Sequence, residues 1–185
     1  MKFNIAILLT WMRIFIVPFF VAIYYLPNSI VSAEHQNIIA TSLFLFAAIT
    51  DYFDGYFARK LNQVSTFGAF LDPVADKAIV VTSLVILVSL QRTFLFAAII
   101  IILREIAISA LREWMAQIGN SQNLAVAYIG KIKTAMQLIS IALLLLDWHT
   151  NVLGNICMLF AVLFTIISMF YYLKQAKDFV KKRNI

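Results

Sequence analysis

The sequence predicts an all-α integral membrane protein with six transmembrane helices, both termini in the cytoplasm and its reactive face at the cytoplasmic membrane edge. Three observations lead there. Apolar residues make up 63% of the 185 positions and charged residues 13%, with 16 Phe and a mean hydropathy of +0.90. A soluble globule of this size has no way to cover so much apolar surface. The apolar residues also fall into six long runs, and the Lys and Arg residues gather on alternate connections between them. Period-2 alternation of the barrel type is absent, which leaves helices as the structure that satisfies the backbone in lipid.

The runs cover about 5–26, 37–60, 73–91, 94–114, 131–147 and 151–173. Each lies at or near the roughly 20 residues a spanning helix needs. The first contains Arg13 and Pro18 and is followed by no small-residue cleavage pattern, so it reads as a retained helix rather than a signal peptide. Pro27-Asn28 marks the turn after it. In the third run, uninterrupted apolar sequence extends only from Ala78 to Leu90. At about 1.5 Å per residue that is too short to span, so the helix must include Pro73 to Lys77. Pro73 suits a first helical position and Asp72 the cap before it. Gly119-Asn120 marks the turn that precedes the fifth run. Without internal repeats or low-complexity tails, residues 1–185 read as a single membrane domain.

Charge placement sets the orientation. With both ends inside, the cytoplasmic side collects Lys2, Arg59, Lys60, Arg112, Lys131, Lys133, Lys174, Lys177, Lys181, Lys182 and Arg183. The opposite side has Arg92, while Arg13, Lys77 and Arg104 fall inside helices. This is the positive-inside pattern. The net charge of +6 therefore points to membrane lipids rather than nucleic acid, and the basic stretch from Lys174 to Arg183 reads as an anchor against anionic headgroups. Cys157 is the single cysteine, which excludes an internal disulfide; it reads as a small buried apolar side chain. His35 and His149 fall in outward loops and read as solvated groups. Trp11, Trp114 and Trp148 lie near span ends and read as interfacial anchors.

Four of the nine acidic residues, Asp51, Asp54, Asp72 and Asp76, fall in a 26-residue window, the first pair at the end of the second run and the second pair at the start of the third. An ionised carboxylate beside hydrocarbon is costly, which favours a role in binding cations or in chemistry. Asp51 and Asp54 are three apart and Asp72 and Asp76 four apart, so each pair shares a helical face. The two helix ends meet the same membrane surface. Four clustered carboxylates repel unless cations lie between them, and hard divalent ions prefer oxygen ligands. A pair of Mg²⁺ or Mn²⁺ ions is the expected cofactor. Taken singly, Asp72 is a helix cap, Asp51 an interfacial residue, and Lys77 a neutralising partner for Asp76. Together at these spacings they read as a site.

Asp51-Tyr-Phe-Asp54-Gly55-Tyr-Phe-Ala58-Arg59, followed by Gly68, Asp72 and Asp76, matches D-x-x-D-G-x-x-A-R-x₈-G-x-x-x-D-x-x-x-D at every defined position. In this the chain resembles the CDP-alcohol phosphotransferase family. The resemblance implies six transmembrane helices, metal ligation by Asp51, Asp54, Asp72 and Asp76, and Asp76 as general base. It also implies that Gly55, Ala58, Arg59 and Gly68 shape the cytidine and diphosphate site. Physical sense attaches to each: the glycines permit close approach, Ala58 keeps the face shallow, and Arg59 offers a planar fork to phosphate.

Arg104, inside the fourth run, needs a partner. Lys131 and Lys133 stand at the start of the fifth, and with Arg104 they can grip a phosphate monoester. The plainer readings are an ion pair of Arg104 with Glu105 or Glu113, and topogenic charge for the two lysines. Arg112, seven residues from Glu105, lies nearly on its face and reads as structural. The segments Ile102–Trp114, Gly130–Thr134 and Leu9–Arg13 with Pro18 are similar to the bacterial branch of the family whose acceptor is glycerol 3-phosphate. That branch implies CDP-diacylglycerol as donor, phosphatidylglycerol phosphate and CMP as products, the bacterial inner membrane as location with the catalytic face cytoplasmic, and a homodimer. One departure stands out: Ala6-Ile7 replaces the Pro-Asn usual before Leu9-Thr10, so no binding role is assigned to the N-terminal segment. Rival readings are a cardiolipin synthase or another acceptor specificity within the family and, from a different class, a divalent-cation transporter. Transport sites lie nearer the bilayer midplane than these carboxylates.

Overall fold

Apolar runs mark where helices can lie in lipid, but polar capping chemistry decides where they start and stop. The computed structural model describes residues 5–60, 66–117 and 128–183; the side chains at 5–7, 52–70, 72, 116, 128–129, 180 and 182–183 lie outside the described set. Six helices are present among the described residues: α1 (Ile5–Ile23), α2 (Ala33–Lys60), α3 (Thr66–Ser89), α4 (Leu95–Gln117), α5 (Tyr128–Leu146) and α6 (Asn151–Arg183). No strand occurs among them, in agreement with the all-α expectation.

The α1–α2 connection shows how the ends are set. After Ile23 the chain tightens through turns in which Tyr24 and Tyr25 donate to Val21 and Ala22, ahead of Pro27. Ser32 caps α2, its hydroxyl lying 2.7 Å from His35 Nδ1 and its carbonyl accepting from the Gln36 N–H. The Gln36 amide nitrogen donates to the carbonyls of Leu26 (2.8 Å) and Val31 (3.2 Å), tying the turn to the helix. The α2 start thus lies at Ala33, a turn before the apolar run begins.

The start of α3 corrects an expectation. Asp72 and Pro73 do not open this helix, which begins at Thr66 and runs through Pro73. Proline removes one N–H from the helical ladder. Helices in lipid-like surroundings absorb that loss because local adjustment re-satisfies the freed carbonyl. The requirement that Pro73–Lys77 be helical is met. At the other end Gln91 takes φ 57°, and the Arg92 N–H donates to the Leu87 carbonyl at 2.9 Å, a left-handed helix stop. The Gly119-Asn120 turn lies outside the described residues.

The chain packs as two compact units, one formed by Met1–Arg92 with Ile141–Asn151, the other by Thr93–Ser140 with Val152–Ile185. In the first, α1 packs along both α2 and α3. Its buried side chains include Phe20, Phe44, Leu84 and Leu87, with Ala40, Ala47 and Ala75 among them. Small residues at such positions let helices approach closely. Arg92, half-turned inward, donates to Asn37 Oδ1 (3.0 Å) and to the carbonyls of Leu144 (3.4 Å) and Leu145 (3.1 Å), and pairs with Asp147 at 2.9 Å. It therefore closes the C-terminal end of α5, where a cation is favoured.

In the second unit the buried set includes Ile101, Ile108, Met115, Met158, Ala161 and Tyr172. Ser140 donates to the Gly154 carbonyl at 2.8 Å, joining α5 to α6. Hydroxyls elsewhere bond within their own helix: Thr41, Ser42, Ser83 and Thr134 each donate to the carbonyl four residues back. Large apolar side chains are exposed on α1 (Phe15, Phe19), α4 (Phe96, Leu103) and α6 (Leu159, Phe170). Among the described residues one helix, Asn151–Phe179, is long and apolar enough to cross a membrane, and Leu8–Ile23 forms a shorter apolar helix. Cys157 is half-buried rather than buried. His35 and His149 are exposed, as are Trp11, Trp114 and Trp148.

Candidate active site

Arg13 organises the described half of the aspartate group. It lies on α1 within an apolar stretch and is only 1% exposed. Its Nη1 donates to Asp51 Oδ1 on α2 at 2.9 Å and also to Asp76 Oδ1 on α3. Both carboxylates keep an open side: the Asp51 side chain is 51% exposed and that of Asp76 41%. Packing of α1 along α2 and α3 makes this bridge possible. A carboxylate from each of two helices thus converges on one positively charged nitrogen.

The sequence reading leaves Arg13 without a role, although an arginine in an apolar helix carries a signal that it needs partners. Nothing local names them, because they lie 38 and 63 residues away.

The remaining predicted residues of this group sit on α2 and α3, but their side chains lie outside the described residues: Asp54, Gly55, Ala58, Arg59, Gly68 and Asp72. Among the described residues no three metal-ligating side chains come together. The fit to a divalent ion can be tested on Asp51 and Asp76. Their oxygens are hard donors, and the Arg13 nitrogen between them is a stand-in cation touched from two helices. The chemistry and the placement fit such an ion.

A second polar centre lies in the other unit. Lys133 on α5, 2% exposed, donates to Glu105 Oε1 on α4. Arg104, also buried, lies 3.5 Å from the same oxygen and donates to Ser168 at 3.1 Å. The Tyr172 ring lies beneath both Arg104 and Arg112, with their guanidinium carbons 5.7 and 5.3 Å from its centroid. Its hydroxyl accepts from Arg112 Nη2 at 3.2 Å. So Arg104 and Lys133 come together around Glu105, in the ion pair anticipated for Arg104. Lys131 is exposed. Two buried polar atoms here have no hydrogen-bond partner among the described residues, Arg104 Nε and Gln137 Oε1. Gln137, one turn from Lys133, carries no motif signal and is missed by the sequence reading. Among the described residues, three cations against one carboxylate, with a spare buried donor in Arg104 Nε, make a centre suited to an anion.

A sequence model of the CDP-alcohol phosphatidyltransferase family matches residues 3–167. The chain belongs to that family. Among its relatives in the CDP-alcohol phosphatidyltransferase family is the CDP-diacylglycerol–glycerol-3-phosphate 3-phosphatidyltransferase of Haemophilus influenzae, 48% identical over 96% of this chain and 95% of the relative. The proteins of the same name from Salmonella typhimurium and Escherichia coli are each 43% identical over 96% of this chain and 97% of their own length. The likeness therefore runs through both polar centres. It bears out the family that the aspartate signature implies.

Proposed function

We propose that the protein transfers the phosphatidyl group of CDP-diacylglycerol to glycerol 3-phosphate, giving phosphatidylglycerol phosphate and CMP. The observation that carries this reading is the near-full-length likeness to proteins bearing that enzyme's name, with the whole aspartate signature intact. In this reading Asp51, Asp54, Asp72 and Asp76 hold two Mg²⁺ or Mn²⁺ ions. Those ions, when bound, supply neutralisation of the diphosphate and stabilisation of the CMP leaving group. Gly55, Ala58, Arg59 and Gly68 receive the cytidine and diphosphate.

Asp76 takes the proton from the acceptor hydroxyl, whose oxygen then attacks the phosphorus that bears the diacylglycerol. The bond from that phosphorus to the bridging oxygen breaks, and CMP leaves with the electron pair. Arg104, Lys131 and Lys133 hold the acceptor's phosphate. The buried Arg104 and Lys133 support this assignment, because cations withdrawn from water bind phosphate strongly. The reading extends to a six-span, N-in and C-in topology in the bacterial inner membrane, to a cytoplasmic catalytic face, and to a homodimer. The charge bias supports the orientation.

The test supplies purified protein with CDP-diacylglycerol, Mg²⁺ and a panel of acceptors, and measures CMP. Release with glycerol 3-phosphate alone is expected. Release with phosphatidylglycerol instead would make the protein a cardiolipin synthase and overturn the acceptor assignment.

A further inference from the structure

Arg13 contributes a buried, permanently charged guanidinium to a group of carboxylates that metal binding must fill. A charge withdrawn from water to 1% exposure persists only where opposite charge compensates it. Among the described residues that compensation includes Asp51 Oδ1 and Asp76 Oδ1, both reached by one nitrogen of the fork. These are hard carboxylate oxygens of the type a divalent ion takes, on side chains that are 51% and 41% exposed. A hydrogen-bonded nitrogen and a metal ion cannot hold the same lone pairs at full strength, and two positive charges at that separation repel.

We propose that Arg13 is a positioning residue of the carboxylate site: a tethered counter-cation that holds Asp51 and Asp76 together before a divalent ion arrives and cedes their oxygens to it. This rests on the reading of those carboxylates as metal ligands. Without the ion, Arg13 relieves the repulsion between α2 and α3 carboxylates. With the ion, Arg13 opposes loading, so divalent affinity is set below what the carboxylates alone would give. The site thereby stays assembled when empty.

The experiment measures Mn²⁺ binding by electron paramagnetic resonance in detergent-solubilised wild type and in Arg13→Met, together with melting temperature in chelator and in saturating Mn²⁺. Arg13→Met is expected to bind Mn²⁺ about tenfold more tightly, as removal of an adjacent positive charge requires. It is also expected to melt below wild type in chelator, and to recover most of that difference in Mn²⁺. Unchanged or weaker Mn²⁺ binding by the variant would overturn the proposal, since an arginine with a purely structural role gives that result. If Arg13→Met does not yield folded protein, Arg13→Gln, which keeps a hydrogen-bond donor without charge, carries the same two expectations. Wild type that binds no Mn²⁺ would sink the metal reading itself, a result distinct from normal wild-type binding that the substitution leaves unaltered.

Discussion

Lys133 on α5 places its ammonium on the same carboxylate oxygen of Glu105 that Arg104 approaches at 3.5 Å. One α4 carboxylate thus restrains two buried cations from different helices. Removing Glu105 leaves both buried charges without their carboxylate, whereas removing Lys133 leaves Glu105 still paired with Arg104.

Glu105→Gln is therefore expected to destabilise the protein by roughly 3 kcal/mol, Lys133→Met by less, and the double variant by less than the sum of the two. Unfolding of the two single variants and the double in detergent measures the coupling. Strictly additive losses would show that the pair contributes nothing of its own. Kinetically, Lys133→Ala should raise KM for glycerol 3-phosphate about ten- to a hundredfold, the worth of one charge-assisted hydrogen bond. An unchanged KM removes Lys133 from the acceptor site.

Tyr172 separates two contributions that act on the arginines above it. Tyr172→Phe loses the bond from Arg112 but keeps the ring, and should cost about 1–2 kcal/mol of stability. Tyr172→Leu loses the cation–π platform as well, and should cost more and raise the acceptor KM further. Equal effects of the two substitutions on KM would show that the ring face has no part in orienting the cations.

Asp76→Asn keeps the size of the side chain and removes its basicity. CMP release should fall by about 10²- to 10⁴-fold, the range general-base catalysis supplies. Binding of CDP-diacylglycerol, followed by equilibrium titration, should be largely retained. CMP release at the wild-type rate would exclude Asp76 as the base.

Arg92 offers the opposite profile. Arg92→Met deletes bonds to Asn37, Leu144, Leu145 and Asp147. A loss of about 2–4 kcal/mol in stability is expected, with kcat and KM unchanged at a temperature where the variant is folded. A selective change in KM without loss of stability would contradict the capping role.

What the sequence made legible was whatever depended on near neighbours. The aspartates stood out because charge in an apolar chain is conspicuous and their spacing is local. The α2–α3 signature named the family for the same reason. Arg13 was just as conspicuous, but its partners sit on two other helices, and sequence distance carries no information about which helices touch. Pro73 misled because proline after aspartate is a helix-start signal in water, whereas α3 passes through it. Ser32 and Gln36 extended α2 beyond its apolar run by capping chemistry that hydropathy does not register. Arg92 looked like a stray charge on the outer side until the α5 carbonyls were placed against it.

Arg92 also imposes an order on biogenesis. Its partner Asn37 has already been synthesised when Arg92 emerges, but Leu144 and Leu145 follow it by 52 and 53 residues. At about 5–20 residues per second, the ribosome delivers them roughly 3–10 seconds later. During that interval the junction between α3 and α4 is held from one side only. The first unit is thus a clasp that stays half-fastened until translation reaches α5, and a nascent chain arrested between the two would expose it open.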